Sequence, residues 1–298
     1  MSFVVNGKEY FYIKRLGLGS NGSVHLVHDE KTNKFAVKIP VFYHSDELEP
    51  EPEHIKRYDV TVDRFHSSNS SESIVDEIVT LQKISRYLRG ECHPNLVCYY
   101  DSSISMMTNS WLPGPMQNTH NQNIPIIVEE YINGITLEGT NLSQQQLSKF
   151  IPDMLSALSV LDIIGIQYLE LHPNNIMYDG HNYIIIDLGE TTKYDTRTQE
   201  DQSREHAVYL AELIYITYHG GFSFDSKAYN DVITMDSDDT YDSVIKQIIT
   251  QYPTIPEAII MFSRHFPDLQ VQITLIDTID TYQNGTVVQS NSTYHITH

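Results

Sequence analysis

The sequence predicts an α+β fold in two parts, a small β-rich first part and a mainly helical second one. Three observations carry this expectation. Residues 3–39 read as short strands around a glycine-rich turn. After residue 73, apolar residues recur at helical spacing in most segments. The 298 residues suit one large domain or two lobes, and 40% of them are hydrophobic, enough for a sizeable core.

The strands come first. Phe3-Val4-Val5 leads into a turn at Asn6-Gly7, then into Tyr10-Phe11-Tyr12-Ile13. Leu16-Gly17-Leu18-Gly19-Ser20-Asn21-Gly22-Ser23-Val24 follows, and the chain is again strand-like from Val24 to Val27. Asp29-Glu30-Lys31-Thr32-Asn33 is a turn cluster. Phe35-Ala36-Val37-Lys38-Ile39 is a strand stopped by Pro40. Residues 43–72 are polar and acidic and read as a surface insertion. Ile74, Ile78, Leu81 and Ile84 predict a helix over 73–87. Residues 103–123 are rich in Asn, Ser, Thr, Met and Pro and read as a second insertion, before a buried-type strand at 124–131.

The β-rich part ends with that strand, and the mainly helical second part follows. The second opens with a long helix over 143–164. Two short strands follow within 177–187, around the turn Asp179-Gly180. An apolar helix over 205–218 ends at Gly220-Gly221, and shorter helices are expected at 242–251 and 256–266. A tail over 270–298 alternates in polarity, with a hairpin signal at Asn284-Gly285.

Composition excludes several functions. Lys and Arg total 19 against 39 Asp and Glu, a formal charge of −20. A general nucleic-acid binder needs a basic stripe to displace counterions, and anionic lipid also demands basic residues, so neither partner is expected. The charge favours a basic protein partner, although it serves solubility equally. Two cysteines, Cys92 and Cys98, exclude a disulfide-rich scaffold and a cysteine-built zinc site. No segment resembles a signal peptide or a membrane span. The expected location is the cytoplasm or another reducing compartment.

Gly17, Gly19 and Gly22 form a GxGxxG pattern between two strands. A dinucleotide-binding fold needs such glycines to open a helix, so this placement disfavours it. A strand–loop–strand makes a flap whose backbone N–H groups can approach phosphate oxygens. Lys38 lies in an otherwise apolar strand. It is either an edge-strand Lys that snorkels to water or a phosphate-binding Lys held by a carboxylate. Glu77, on the next helix, is either that carboxylate or a solvated helix charge. His93, in His93-Pro94-Asn95-Leu96-Val97, has no metal-ligating partner at suitable spacing and reads as part of a structural turn. The acidic run from Asp236 to Asp239 lacks EF-hand spacing and reads as a solvated loop.

The richest segment is Tyr168-Leu169-Glu170-Leu171-His172-Pro173-Asn174-Asn175-Ile176-Met177, followed by Ile184-Ile185-Ile186-Asp187-Leu188-Gly189. A carboxylate closing an apolar strand is not needed for folding. Asp187 can hold Mg²⁺, which prefers oxygen ligands, and Asn175 offers an amide oxygen to the same ion.

In this order, Gly17/Gly19/Gly22 with Val24, Lys38, Glu77, Asn175 and Asp187-Leu188-Gly189 resemble the signature of the protein-kinase superfamily. The resemblance covers about residues 8–218. It implies a bilobal kinase-like fold, with the first lobe over residues 1–131, a shortened second lobe over 132–269 and ATP in the cleft. Leu16, Gly17, Gly19, Ser20, Asn21, Gly22, Val24 and Ala36 would surround the nucleotide. Lys38 would hold the α/β-phosphates and pair with Glu77. Glu129 would stand at the gatekeeper position, and Glu130 to Ile132 would meet adenine through backbone bonds. Asn175 and Asp187 would hold Mg²⁺ or Mn²⁺.

The departures bear on activity. His-Arg-Asp is replaced by Tyr168-Leu169-Glu170, so the catalytic base position carries Glu170, one methylene longer. Leu169 replaces the Arg that reads a phosphorylated activation loop, so control of that kind is not expected. His172 replaces the Lys two positions after the base. About 15 residues separate Gly189 from the next core helix, without Ala-Pro-Glu, so the peptide-docking segment is short or missing. These features imply a divergent serine/threonine-type protein kinase. The alternatives are a pseudokinase that binds nucleotide as a scaffold or allosteric partner, and a small-molecule kinase.

Overall fold

The structure is a computed structural model. It describes residues 2–18, 22–40, 69–106, 123–189, 198–221, 224, 226–235, 239–269, 271–276, 282–283, 286–287 and 291–295. The chain divides into two compact units. One comprises residues 1–82 and 98–132, the other 83–97 and 133–298.

The first unit is built on six antiparallel strands: β1 (Ser2–Val5), β2 (Lys8–Leu18), β3 (Ser23–Asp29), β4 (Lys34–Ile39), β5 (Tyr99–Met106) and β6 (Asn123–Glu130). Their order in the sheet is β1-β2-β3-β4-β6-β5. Asn6 and Gly7 both take positive φ, 46° and 82°, the geometry a two-residue hairpin turn requires between Val5 and Lys8. The next turn is held by Asp29, whose Oδ1 accepts the N–H groups of Lys31 and Asn33, each at 2.9 Å. Strand β4 lies inside the sheet, and Phe35 to Ile39 are all buried.

Helix α1 runs over Asn69–Tyr87. It begins before the expected residue 73, so 69–72 belong to it rather than to the first insertion. Its buried stripe passes through Ile74, Glu77, Leu81 and Ile84, while Ile78 is half-buried. A carboxylate thus occupies a position that periodicity assigned to an apolar residue. The second insertion was also drawn too wide. Strand β5 continues to Met106 because Ser102 to Met106 pair with Ile127 to Asn123 of β6. Residues 43–68 and 107–122 of the two insertions lie outside the described residues.

The second unit holds a small sheet of β7 (Ile135–Thr136), β8 (Ile176–Tyr178) and β9 (Tyr183–Ile185), in the order β7-β8-β9. Its helices are α2 (Gln144–Ile163), α3 (Gln199–His219), α4 (Ser226–Thr234), α5 (Thr240–Gln251) and α6 (Ile255–His265). Helix α2 is buried continuously from Phe150 to Leu161, and the polar Asp153, Ser156 and Ser159 within that stretch have hydrogen-bond partners. Capping boxes start α2 at Ser143 with Gln146, α3 at Thr198 with Asp201, and α6 at Thr254 with Glu257. The α3 box places that helix start six residues before the expected Glu205. Asp239, the last residue of the acidic run, caps α5 by accepting the N–H groups of Tyr241 and Asp242. Asp236 to Asp238 lie outside the described residues. Helix α4 had no counterpart in the sequence reading, because it buries only Val232.

In the tail, β10 (Gln272–Ile276) pairs with β13 (Asn291–His295), and β11 (Tyr282–Gln283) with β12 (Thr286–Val287). The Asn284-Gly285 turn lies between β11 and β12 but outside the described residues. No helix among the described residues is long and apolar enough to cross a membrane. Cys92 and Cys98 are both disulfide-bonded, so the small cysteine count no longer argues for a reducing compartment.

Candidate active site

In the first unit the candidate residues gather on one sheet face. The register sets Gly17 against Val24, Val24 against Lys38, and Ala36 against Glu129. Directly opposed residues share a face, and so do alternate residues of a strand. Gly17, Val24, Ala36, Lys38 and Glu129 therefore line the same side. Leu16 and Gly17 are exposed on β2. Gly22 is required by packing, since a Cβ there would stand 2.7 Å from the Ile39 carbonyl oxygen. Gly19, Ser20 and Asn21 lie outside the described residues.

Lys38 Nζ lies 2.6 Å from a Glu77 carboxylate oxygen, and both side chains are buried. The snorkelling alternative for Lys38 and the solvated alternative for Glu77 therefore fall away. Glu129 is buried beside them on β6. The Glu130 N–H already donates to the Cys98 carbonyl at 2.9 Å, and Ile132 is buried.

In the second unit the segment from Tyr168 to Asn175 is held as a compact loop. The Tyr168 N–H donates to His206 Nε2 at 2.9 Å. That bond requires Nε2 to be unprotonated. The proton is then on Nδ1, which faces Asp162 Oδ1 at 3.2 Å. His206 on α3 and Asp162 on α2 thus fix where the loop begins. The His172 N–H donates to the Glu170 carbonyl at 2.9 Å, and the Asn175 N–H to the His172 carbonyl at 3.0 Å. Asn175 Nδ2 donates to the Glu170 carbonyl at 3.2 Å and lies 3.4 Å from Glu170 Oε2.

Strand pairing brings Asn175 and Asp187 together. Ile176 pairs with Ile185, and the Ile186 N–H donates to the Asn175 carbonyl at 2.9 Å. The two side chains thus leave neighbouring strand ends, although twelve positions separate them in sequence. Asp187 Oδ1 also accepts the Gly189 N–H at 3.1 Å, which shapes the turn after the strand.

The donor set fits Mg²⁺. With Asn175 Nδ2 turned toward Glu170, its amide oxygen and the Asp187 carboxylate supply hard oxygen donors. No group of three or more His, Cys, Asp or Glu side chains among the described residues forms a metal cage. Mg²⁺ bound with a nucleotide needs none, because one or two protein oxygens suffice beside phosphate oxygens and water.

The loop over 93–97 braces this hairpin. The Val97 N–H donates to the Ile185 carbonyl at 2.9 Å, the Ile185 N–H to the Asn95 carbonyl at 3.0 Å, and Asn95 Nδ2 to the Tyr183 carbonyl at 3.0 Å. His93 is buried. Its Nδ1 accepts the Asn95 N–H at 3.2 Å and its Nε2 lies 3.3 Å from Ser156 Oγ. Burial pushes its pKa down to about 4, so it is a neutral structural residue.

The sequence reading did not find His206 or Asp162. The available signal was a histidine within the otherwise apolar run of α3, whose partner lies 44 positions away.

A family model of the protein kinase domain matches residues 10–225, and the chain belongs to the protein kinase superfamily. A search of curated proteins found no match to the chain. Membership brings a phosphotransferase, kinase-like function, with ATP and a protein substrate as the general kinds of partner.

Proposed function

We propose that this chain is a divergent serine/threonine-type protein kinase that moves the γ-phosphoryl group of ATP to a protein hydroxyl. The observation that carries this reading is the buried Lys38–Glu77 ion pair. A buried pair is costly to desolvate and gives the fold little net stability, so its presence in an apolar strand supports a functional purpose. Lys38 holds the α/β-phosphates, and the face bearing Gly17, Val24 and Ala36 packs against the nucleotide, with Gly22 toward the phosphates. Backbone groups between Glu130 and Ile132 meet the adenine.

Asn175 and Asp187 would hold Mg²⁺ or Mn²⁺, which would supply charge neutralisation for the phosphates. Glu170 accepts the proton of the attacking hydroxyl. The hydroxyl oxygen bonds to the γ-phosphorus, the bond to the bridging oxygen breaks, and ADP leaves. The loop that carries Glu170 is held by His206 at its start and by Asn175 at its end.

The pseudokinase alternative rests on the Tyr168-Leu169-Glu170 triplet itself. The small-molecule kinase alternative rests on the stretch 190–197, too short for an ordinary peptide-docking segment. One experiment separates all three. Labelled ATP is supplied with Mg²⁺ or Mn²⁺ to the wild type, Glu170→Gln and Asp187→Asn, with the protein itself, a generic basic protein and a panel of small alcohols as acceptors. Transfer to protein that both substitutions abolish supports the kinase reading. Labelling of alcohols alone means a small-molecule kinase. Nucleotide binding without transfer to any acceptor means a pseudokinase.

A further inference from the structure

The chain has two cysteines and both are disulfide-bonded, so Cys92 and Cys98 are bonded to each other. The bond closes a short ring around His93, Pro94, Asn95, Leu96 and Val97. This is the loop that braces β9. The Ile185 N–H donates to the Asn95 carbonyl at 3.0 Å, and the Val97 N–H donates to the Ile185 carbonyl at 2.9 Å. Leu96 forms a parallel bridge with Ile185, and Asn95 Nδ2 donates to the Tyr183 carbonyl at 3.0 Å. These bonds all arise between the two cysteines, and the strand they hold leads directly to Asp187.

Cys92 is exposed, whereas Cys98 is buried. Exposed disulfides are the labile ones, because a thiolate can reach the sulfur it attacks. A ring this short also removes less chain entropy than a cross-link between distant segments, so it is a weak staple for the fold. Its effect is local. It holds the two ends of the loop together while Asn95 and Val97 grip the strand. His93 keeps the loop seated on α2, its Nε2 lying 3.3 Å from Ser156 Oγ. Opening the ring therefore loosens the loop without detaching it.

We propose that the Cys92–Cys98 bond is a reversible redox switch that sets how firmly the loop holds β9 and the strand end bearing Asp187. A dithiol is the reductant. One of its thiolates attacks Cys92 Sγ, the S–S bond breaks, and Cys98 leaves as a thiolate that takes up a proton. The second thiol of the reductant then attacks the mixed disulfide, and Cys92 leaves and is protonated in turn. Two electrons and two protons pass to the cysteines, and the reductant ends as its own disulfide. An oxidised dithiol reverses the exchange. The loosening of the loop is independent of the chain's reaction, whereas its consequence for nucleotide and metal rests on the reading of Asp187 proposed above.

The test needs no phosphoryl transfer. The full chain is equilibrated with reduced or oxidised dithiothreitol, and its free thiols are counted by alkylation and mass. Reduction is expected under native conditions. Backbone amide exchange at Val97 and Ile185 should then rise by about tenfold or more, with Leu158 inside α2 unchanged, and reoxidation should restore it. Cys92→Ser/Cys98→Ser should exchange like the reduced chain in both buffers. A bond that yields only when the chain unfolds overturns the inference, since it is then a structural staple. So does reduction with unchanged exchange at Val97 and Ile185, or with an equal rise at Leu158, which means global loosening. Nucleotide-induced thermal shift with and without Mg²⁺ is read on the same samples. The Mg²⁺-dependent part should shrink on reduction, and an identical shift in the two states overturns the switch. A chain with no nucleotide shift in either state counts against the kinase reading only, and the exchange result then decides the inference.

Discussion

The Lys38 ammonium and the Glu77 carboxylate meet at 2.6 Å, with 7% and 0% of their side chains exposed. Each makes the other's burial tolerable, and together they place a cation on the sheet face that bears Val24 and Ala36. Lys38→Met leaves Glu77 without its cation. The expected loss of stability is about 3 kcal/mol, the lower end for breaking a buried pair. Denaturant unfolding gives this number, and nucleotide-induced thermal shift should vanish. Lys38→Met/Glu77→Leu should recover stability without recovering nucleotide binding.

Glu170→Gln keeps the shape of the loop and removes the carboxylate proposed to accept the proton. The rate of transfer should fall by about 10²–10⁴-fold while nucleotide affinity is unchanged. Asp187→Asn should lower both transfer and the Mg²⁺-dependent part of nucleotide binding. Single-turnover transfer and a Mg²⁺ titration distinguish the two variants.

His206 acts through the backbone of Tyr168. His206→Ala removes the acceptor for a buried N–H and should cost about 1–3 kcal/mol. The loop start then loosens, so transfer should fall more than nucleotide binding does. A thermal melt together with separate determination of kcat and the KM for ATP would check this.

Two buried histidines give the protein an acid-sensitive limb. The pKa of His25 is pushed down to about 4 by burial and by Arg15, and that of His93 to about 4 by burial. The unfolded chain binds protons below about 6.5, whereas the folded one refuses them until about 4. Stability from both groups should therefore be present above pH 6.5 and lost as pH falls toward 4. Glu212 acts in the opposite sense. Its raised pKa means that stability declines as pH rises from about 4.5 to about 7. Unfolding midpoints measured across this range should show His93→Gln with a shallower acid limb and Glu212→Gln with a flatter approach to neutrality.

The sequence by itself determined the order and type of most elements. Hydrophobic alternation and turn residues mark β1 to β4, and apolar periodicity marks α2, α5 and α6, because each signal is local. The motifs carrying Lys38, Glu77, Asn175 and Asp187 were legible for the same reason, as unusual residues in apolar or turn contexts. Glu77 was nevertheless left between two roles, since a helix charge shows its burial only when its partner is known.

The tertiary structure decided what depends on distant residues. The early start of α3 rests on the Thr198–Asp201 cap, and the reach of β5 rests on pairing with β6, which a polar sequence conceals. His206 meets Tyr168 only because α3 packs beside the loop. The cavity lined by Glu212 exists only where the loop carrying Glu170 and helix α3 enclose it. Burial and proximity across the chain are properties of packing, and no window along the sequence contains them.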